Sequence, residues 1–340
     1  MSTYFQQRRG SILILTLWVL VFLTVFAVNI GLRIRQRVTL VSRIEDRSQL
    51  HRAARAGVKK AIAVLRRDLA QHAQIYTSAG KSARHNNIGD FKDLPIGGRT
   101  VNVSYREGPA DSEGLQFGLR DEERKINLNR MNRIVLRNII TLAAGVEEDR
   151  AAILAEAVIE WREYGQTQAE GFNSEGFYGT LEYPYEIKDF DLEVIDELLL
   201  VRGFTPAILE RLRPFVTLYG DGQVNINTAS RTVLRALGLS PEVADKLLFV
   251  RRGVDETEAT KDDYIFYKTF DVASEMAAFI ELQPDEIAQL DALNGQRLIK
   301  TNSRYFEIQS RAYADPQRPE RVVTAVYDSV DNLVVYWREK

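Results

Sequence analysis

The stretch from Ser11 to Leu32 holds 22 residues without one charge, and Arg8, Arg9 and Gly10 stand immediately before it. As a helix, rising about 1.5 Å per residue, it reaches roughly 33 Å, enough for the ~30 Å hydrocarbon core of a bilayer. A secretory signal would instead show an apolar region of about 7 to 15 residues followed by a small-x-small cleavage site. The run here is longer, and its far end, Thr24 to Asn29, offers no convincing site. The residues leave two readings open: a plain single-pass anchor, or a pilin-type leader cut on the cytoplasmic side between Gly10 and the apolar run.

Charge divides the chain. Residues 1 to 67 hold 13 Lys or Arg against Glu45 and Asp46, a balance of +11, and the remaining 273 residues carry 32 basic and 45 acidic side chains, or −13. Arg33, Arg35 and Arg37 just after the span oppose the positive-inside rule, so charge by itself does not place the N-terminus in the cytoplasm. The absence of cysteine removes disulfides, thiolate zinc sites and cysteine nucleophiles, and the three histidines, His51, His72 and His85, all fall in or near the basic segment. Acidic pairs such as Glu122-Glu123 and Glu147-Glu148 diverge on a helix or loop, so they make poor acid-base partners. With no nucleophile motif or phosphate loop either, an enzyme is not expected.

Apolar positions continue at Ile34, Val38 and Val41 and then at Ala54, Val58, Ala61, Leu65 and Leu69, mostly three or four apart. That spacing predicts a helix continuous with the membrane segment, one face lying on its own domain, with a break near Ser78 to Gly80. After a loop through Asn86, Asn87 and Gly89, Arg99 to Arg106 alternates as a half-buried strand, and Leu115 to Leu119 is a second candidate. Comparable strands return only at Tyr305 to Tyr313, Val322 to Tyr327 and Leu333 to Trp337, separated by turns at Asp315-Pro316 and Asp331-Asn332. The simplest architecture is α+β: a long helix packed on an antiparallel sheet, with a helical insertion between the early and late strands.

The insertion contains an internal repeat. Ile126-Asn127-Leu128-Asn129 and Val224-Asn225-Ile226-Asn227 are each followed, at the same distance, by Leu136 and Leu234. Each begins as a short strand whose terminal Asn is placed to cap the following helix. The second copy runs on through a turn at Gly238 into Ser240-Pro241-Glu242, which reads as the start of another helix, and a looser third copy runs from Glu197 through Gly203 and Pro206 to Leu209 and Leu212. This is helix-hairpin-helix grammar.

The string Arg8-Arg9-Gly10-Ser11-Ile12-Leu13-Ile14-Leu15-Thr16-Leu17-Trp18 resembles the leader and first helix of the K-type minor pseudopilins of type II secretion, the general secretion pathway protein K family. Asp121 to Asn129, Glu197 to Gly203 and Val224 to Ser230 are similar to recurring strings of that family in its order. The resemblance implies a leader over residues 1–10 removed after Gly10 by a prepilin peptidase, with methylation of the new terminus at Ser11. It further implies a transmembrane helix over 11–32 and a stalk with the first part of a pseudopilin α/β domain over 33–120. An inserted helical domain of helix-hairpin-helix or SAM-like repeats then occupies 121–300, and C-terminal strands over 301–340 complete the sheet. Where most pilins carry a Glu five residues after the cut, this chain has Leu15, a departure the K type shares.

A carboxylate buried in lipid costs several kcal/mol unless paired, and in pilin filaments it is thought to pair with a neighbour's α-amino group. A subunit with Leu there suits the first place in the assembly. The expected function is therefore a non-catalytic minor pseudopilin at the tip of a periplasmic pseudopilus. Its expected partners are the I-type and J-type minor pseudopilins, the major pseudopilin, the prepilin peptidase and the bacterial inner membrane, with the N-terminus cytoplasmic.

The alternative from another class is a membrane-anchored helix-hairpin-helix DNA receptor. The acidic body argues against nucleic acid, and Arg231, Arg235, Lys246, Arg251 and Arg252 read as a solvated helix face. Calcium is the one cofactor that the resemblance brings in, near a family segment often reading Asp-Trp-x-Asp-x-Asp. Here Glu160-Trp161-Arg162-Glu163 replaces part of that pattern, leaving Glu163, Glu170, Glu175 and Glu182 as candidate ligands against the simpler reading of surface acids.

Overall fold

The computed structural model describes residues 11–71, 88–106, 115–163, 174–254, 263–315 and 318–340. Helix α1 (Ser11–Gln71) is one unbroken helix of 61 residues, about 90 Å long at 1.5 Å per residue. The break expected near Ser78 lies outside the described residues. From Leu50 onward, Ala53, Ala54, Val58, Ala61 and Leu65 are buried. Toward the uncharged N-terminal stretch the expectation fails: Ile34, Val38 and Val41 are 55%, 63% and 60% exposed. The sheet is too short to reach them, so only the upper part of the rod lies on its own domain.

The sheet under α1 is antiparallel and ordered β1 (Leu94–Ile96), β2 (Arg99–Arg106), β9 (Tyr305–Asp315), β10 (Arg318–Asp328), β11 (Leu333–Glu339). Short strands β3 (Leu115–Phe117) and β4 (Arg120–Asp121) pair with β2 and β9. Alternation in the sequence places Val101, Val103, Phe306, Ile308, Val323 and Ala325 on the face beneath α1. Gly89, expected in a loop, belongs instead to a one-turn helix α2 (Ile88–Phe91), which buries Phe91 in the same core. At Asp331-Asn332 the chain turns as expected, with Asn332 at φ +57°, a left-handed conformation that Asn tolerates.

Between β4 and β9 a second hydrophobic cluster, running from Ile126 to Ile299, is built by two units with the same plan. The first is β5 (Ile126–Asn127), α3 (Arg133–Ala144), α4 (Glu148–Arg162), α5 (Ser174–Gly179), α6 (Pro206–Leu212) and β6 (Val216–Thr217). The second is β7 (Val224–Asn225), α7 (Arg231–Ala236), α8 (Pro241–Arg252), α9 (Val272–Ala277), α10 (Pro284–Gly295) and β8 (Ile299–Lys300). Each closes on itself by a two-residue parallel pairing, Ile126 with Val216 and Val224 with Ile299.

The repeated asparagines carry this plan, though not as helix caps. Asn132 and Ser230 cap α3 and α7, accepting from the backbone of Val135 and Val233. The earlier Asn of each pair turns its Oδ1 onto the backbone N–H two residues on, Asn127 to Asn129 and Asn225 to Asn227. The later Asn then acts as a substitute peptide for a remote segment. Asn129 donates to the Leu192 carbonyl and accepts from the Leu192 N–H, both at 2.9 Å, and Asn227 makes the same two bonds to Phe266, both at 2.8 Å. These amides are buried with partners of their own, so they are not available to the helix that follows.

Candidate functional site

Two regions stand out: the exposed rod, and the joint where the insertion leaves the sheet. On the rod, every described side chain from Leu13 to Leu32 is exposed and none is charged, and Leu15 is 65% exposed on α1. The helix passes a test of length and apolar content for crossing a membrane, with mean hydropathy 2.6 in its best window. Gly10 lies outside the described residues, and Ser11 is the first residue of α1.

At the joint, three consecutive acids leave β4 and each takes a different anchor. Asp121 Oδ2 accepts from Asn225 (3.0 Å), Thr228 (2.5 Å) and Ser303 (2.7 Å), while its Oδ1 accepts from the backbone of Glu123 (2.8 Å). Glu122 pairs with Lys125 and accepts from the Thr217 hydroxyl at 2.7 Å. Glu123 pairs with Lys300 and accepts from the Arg304 N–H at 2.5 Å. One short segment thus ties the sheet, the first unit and the second unit together.

The joint's electrostatics follow from burial and pairing. Burial pushes the Glu122 carboxyl up against the pull of Lys125, and likewise raises Glu123 against Lys300. Burial also acts on Glu307 of β9, but Lys125 and Arg120, with bonds from Gln309 and Glu122, outweigh it and hold that carboxyl at about 2. Beside the joint a cleft of ≈ 830 Å³ opens between the insertion and the sheet face away from α1, lined in part by Arg213, Leu218, Tyr336 and Arg338. Its wall charges largely neutralise one another, Arg213 holding Asp196 at 2.6 Å and Glu210 at 3.2 Å. The arrangement is suited to fixing the insertion to the sheet.

The cations weighed for nucleic acid are differently placed than a solvated face requires. Arg251 is buried and donates to the carbonyls of Ile226 (3.2 Å) and Ala229 (2.6 Å). Arg162 does the same in the first unit, to Leu128 and Met131. Arg231 is bidentate with Asp245, and Lys246 binds Glu286 at 2.7 Å. Arg235 is half-buried and Arg252 exposed. The sequence reading missed the arginine clamps because they close loops of unequal length: Arg162 lies 34 residues beyond Leu128, Arg251 only 25 beyond Ile226. A search for an Arg in the last turn of the second helix of each unit includes both.

Of the calcium candidates, Glu163 and Glu182 are exposed, with Glu163 paired to Arg162 at 3.3 Å. Glu170 lies outside the described residues, as does the side chain of Glu175. Among the described residues no three His, Asp or Glu side chains converge as a metal site. Trp161 packs edge-on against Tyr178 (5.5 Å) and Tyr185 (6.1 Å) in the core of the first unit.

Comparison with known proteins gives three findings. Residues 124–221 match the family described as type II secretion system protein K. The type II secretion system protein K of Pseudomonas aeruginosa is 25% identical over 337 residues, covering 94% of this chain and 89% of that protein. The crystal structure of the GspK-GspI-GspJ complex from the enterotoxigenic Escherichia coli type 2 secretion system contains a chain of the same fold. The match has TM-score 0.62 and 17% identity, over 88% of this chain and 98% of that one.

Proposed function

We propose that this chain is a minor pseudopilin of the type II secretion system protein K family, and that it occupies the tip of the periplasmic pseudopilus and initiates its assembly; the match over residues 124–221 and the likeness along most of the chain support this reading. The observation that carries this reading is Leu15, an exposed apolar side chain on the uncharged stretch of α1, at the position where a filament subunit needs a carboxylate. A carboxylate in lipid is costly unless it meets a cation, so subunits that carry one are drawn beneath a neighbour. Leu15 carries no such demand and needs no subunit above it.

On this reading the prepilin peptidase cuts between Gly10 and Ser11 and methylates Ser11. Residues 11–32 hold the chain in the inner membrane, N-terminus cytoplasmic and body periplasmic. The I-type and J-type minor pseudopilins and the major pseudopilin assemble with it. Residues 33–120 and 301–340 form the pseudopilin domain, and 121–300 the inserted head. The equivalent wiring of the two units supports a helix-hairpin-helix origin for that head. Its role is structural, since Arg231, Lys246 and Arg251 are engaged within the fold and offer little to a phosphate backbone.

The test is Leu15→Glu in a secretion-competent cell lacking its own copy. The variant is expected to be made and processed but to restore export several-fold less well than the wild type. Full export by this variant counts against the tip assignment.

A further inference from the structure

We propose that the strip of sheet along β11, beside α1, seats a helix of a second pilin-like subunit, one that carries apolar side chains flanked by carboxylates. This rests on the reading of the chain as a minor pseudopilin and names a surface for its partner.

The geometry leaves room for one more helix. Helix α1 lies over β2, β9 and β10, centred near β9. Two strand spacings of about 4.8 Å carry one from β9 to β11, nearly 10 Å, which is also the separation of two packed helices. On the opposite flank α2 covers the sheet with Phe91. Over β11 no such cover stands among the described residues.

The β11 side chains that face this space are apolar and bare. Residues paired across strands share a face. Ala325, buried under α1, pairs with Trp337, and Tyr327, beyond a bulge, pairs with Val334. Trp337 and Val334 are nevertheless each 42% exposed. A bare Trp beside a Val is the kind of anchor on which interfaces concentrate their energy.

The wall of the groove is basic. Arg55, Lys59, Ile62 and Arg66 form one stripe of α1 at steps of four, three and four. Arg55 meets Glu339 at one end of β11, and Arg66 acts on Tyr327, the partner of Val334, at the other. The two ends agree in length: 11 helical steps and five strand steps both span about 17 Å. Glu339 shows how a carboxylate is received here, bidentate on Arg55 and 3.2 Å from His51. Lys59 and Arg66 have no carboxylate within 4 Å among the described residues. Followed toward the membrane, the stripe continues through Ile44, Val41, Arg37 and Ile34, all exposed. An added helix rising from the same bilayer therefore meets one continuous apolar and basic track, which selects for acids on its flanks.

The absence of native cysteine makes the test clean. Val334→Cys in the full-length chain, co-expressed in membranes with its candidate pilin-like partners, is treated with a short bismaleimide after single cysteines are placed along the partner's helix. The expected result is an adduct on that helix at positions three or four apart. Lys59→Glu with Arg66→Glu is expected to lower capture of the partner about tenfold at low salt, a difference that shrinks at ~1 M salt. Both side chains are exposed, and thermal melting of the variant checks that the fold is kept. An adduct only with a second copy of this chain, no adduct at any position along the partner's helix, or capture indifferent to the charge reversal, overturns the surface while leaving the minor-pseudopilin reading intact. Failure of the wild-type chain to capture any pilin-like subunit overturns both.

Discussion

Asn227→Ala is the substitution that most sharply tests the wiring of the inserted head. Asn227 is fully buried and donates to the carbonyls of Phe266 (2.8 Å) and Thr301 (3.0 Å) while accepting from the Phe266 N–H (2.8 Å). Alanine leaves one buried N–H and two carbonyls without this partner. At about 1–3 kcal/mol per orphaned buried group, with carbonyls at the lower end, the expected loss is about 3–5 kcal/mol. That is a large share of the ~5–15 kcal/mol that holds a domain together.

Urea denaturation of residues 34–340, followed by circular dichroism, reads the loss as a lower midpoint. Ser230→Ala, which removes only a 3.4 Å cap bond nearby, supplies the scale and is expected to cost about 1 kcal/mol or less. Asn227→Asp keeps the acceptor but loses the donor and buries a charge, so its penalty is expected to be severe at pH 7 and to ease in mild acid, where the protonated carboxyl donates again. If Asn227→Ala costs no more than Ser230→Ala, the reasoning about substitute peptides is wrong.

Gly57→Val is expected to destabilise the body by about 1–3 kcal/mol in the same assay, through overpacking. A Cβ at Gly57 meets Ser310 and comes within 2.7 Å of Val101, where α1 crosses the sheet most closely. Gly57→Ala sets the helix gain of about 1 kcal/mol against the same clash, and pairing it with Ser310→Ala is expected to recover part of the loss. Acid is expected to lower the melting temperature between pH ~4 and ~2. Asp328, bonded by Arg304, and Glu307, held by Lys125 and Arg120 against its burial, both sit at about 2 in the folded chain. Their stabilisation is present above the unfolded carboxyl value of about 4 and is lost as pH falls through 2. Asp328→Asn is expected to flatten that slope, and an unchanged slope refutes the assignment.

The parts of the fold legible in the sequence are those with a strong period. Charge-free length marks the apolar part of α1, and alternation marks β2 at both ends and the greater part of β9, β10 and β11, which run two, five and two residues longer than expected. The repeated Asn-x-Asn motif points correctly to two related units. It does not reveal what the asparagines do, because Leu192 and Phe266, the segments they hold, lie 63 and 39 residues away at unmatched distances. The same holds for Arg162 and Arg251. Strands of two residues, such as β5 and β7, have no period to detect, and their parallel pairing depends on contacts made after the helices pack. The joint at Asp121 to Glu123 was visible only as acidity, since a run of acids reads as surface until their partners, Asn225, Lys300 and Thr217, are in place. Ile34, Val38 and Val41 continue the helix period yet stand exposed, because the period shows that a face is apolar and not what covers it.

The most direct measurement is the mature N-terminus, by mass spectrometry of the chain recovered from membranes of a cell with a prepilin peptidase. The account expects a single species beginning at Ser11 with a methylated α-amino group. A chain that keeps Met1 to Gly10, or one trimmed beyond Leu32, contradicts it.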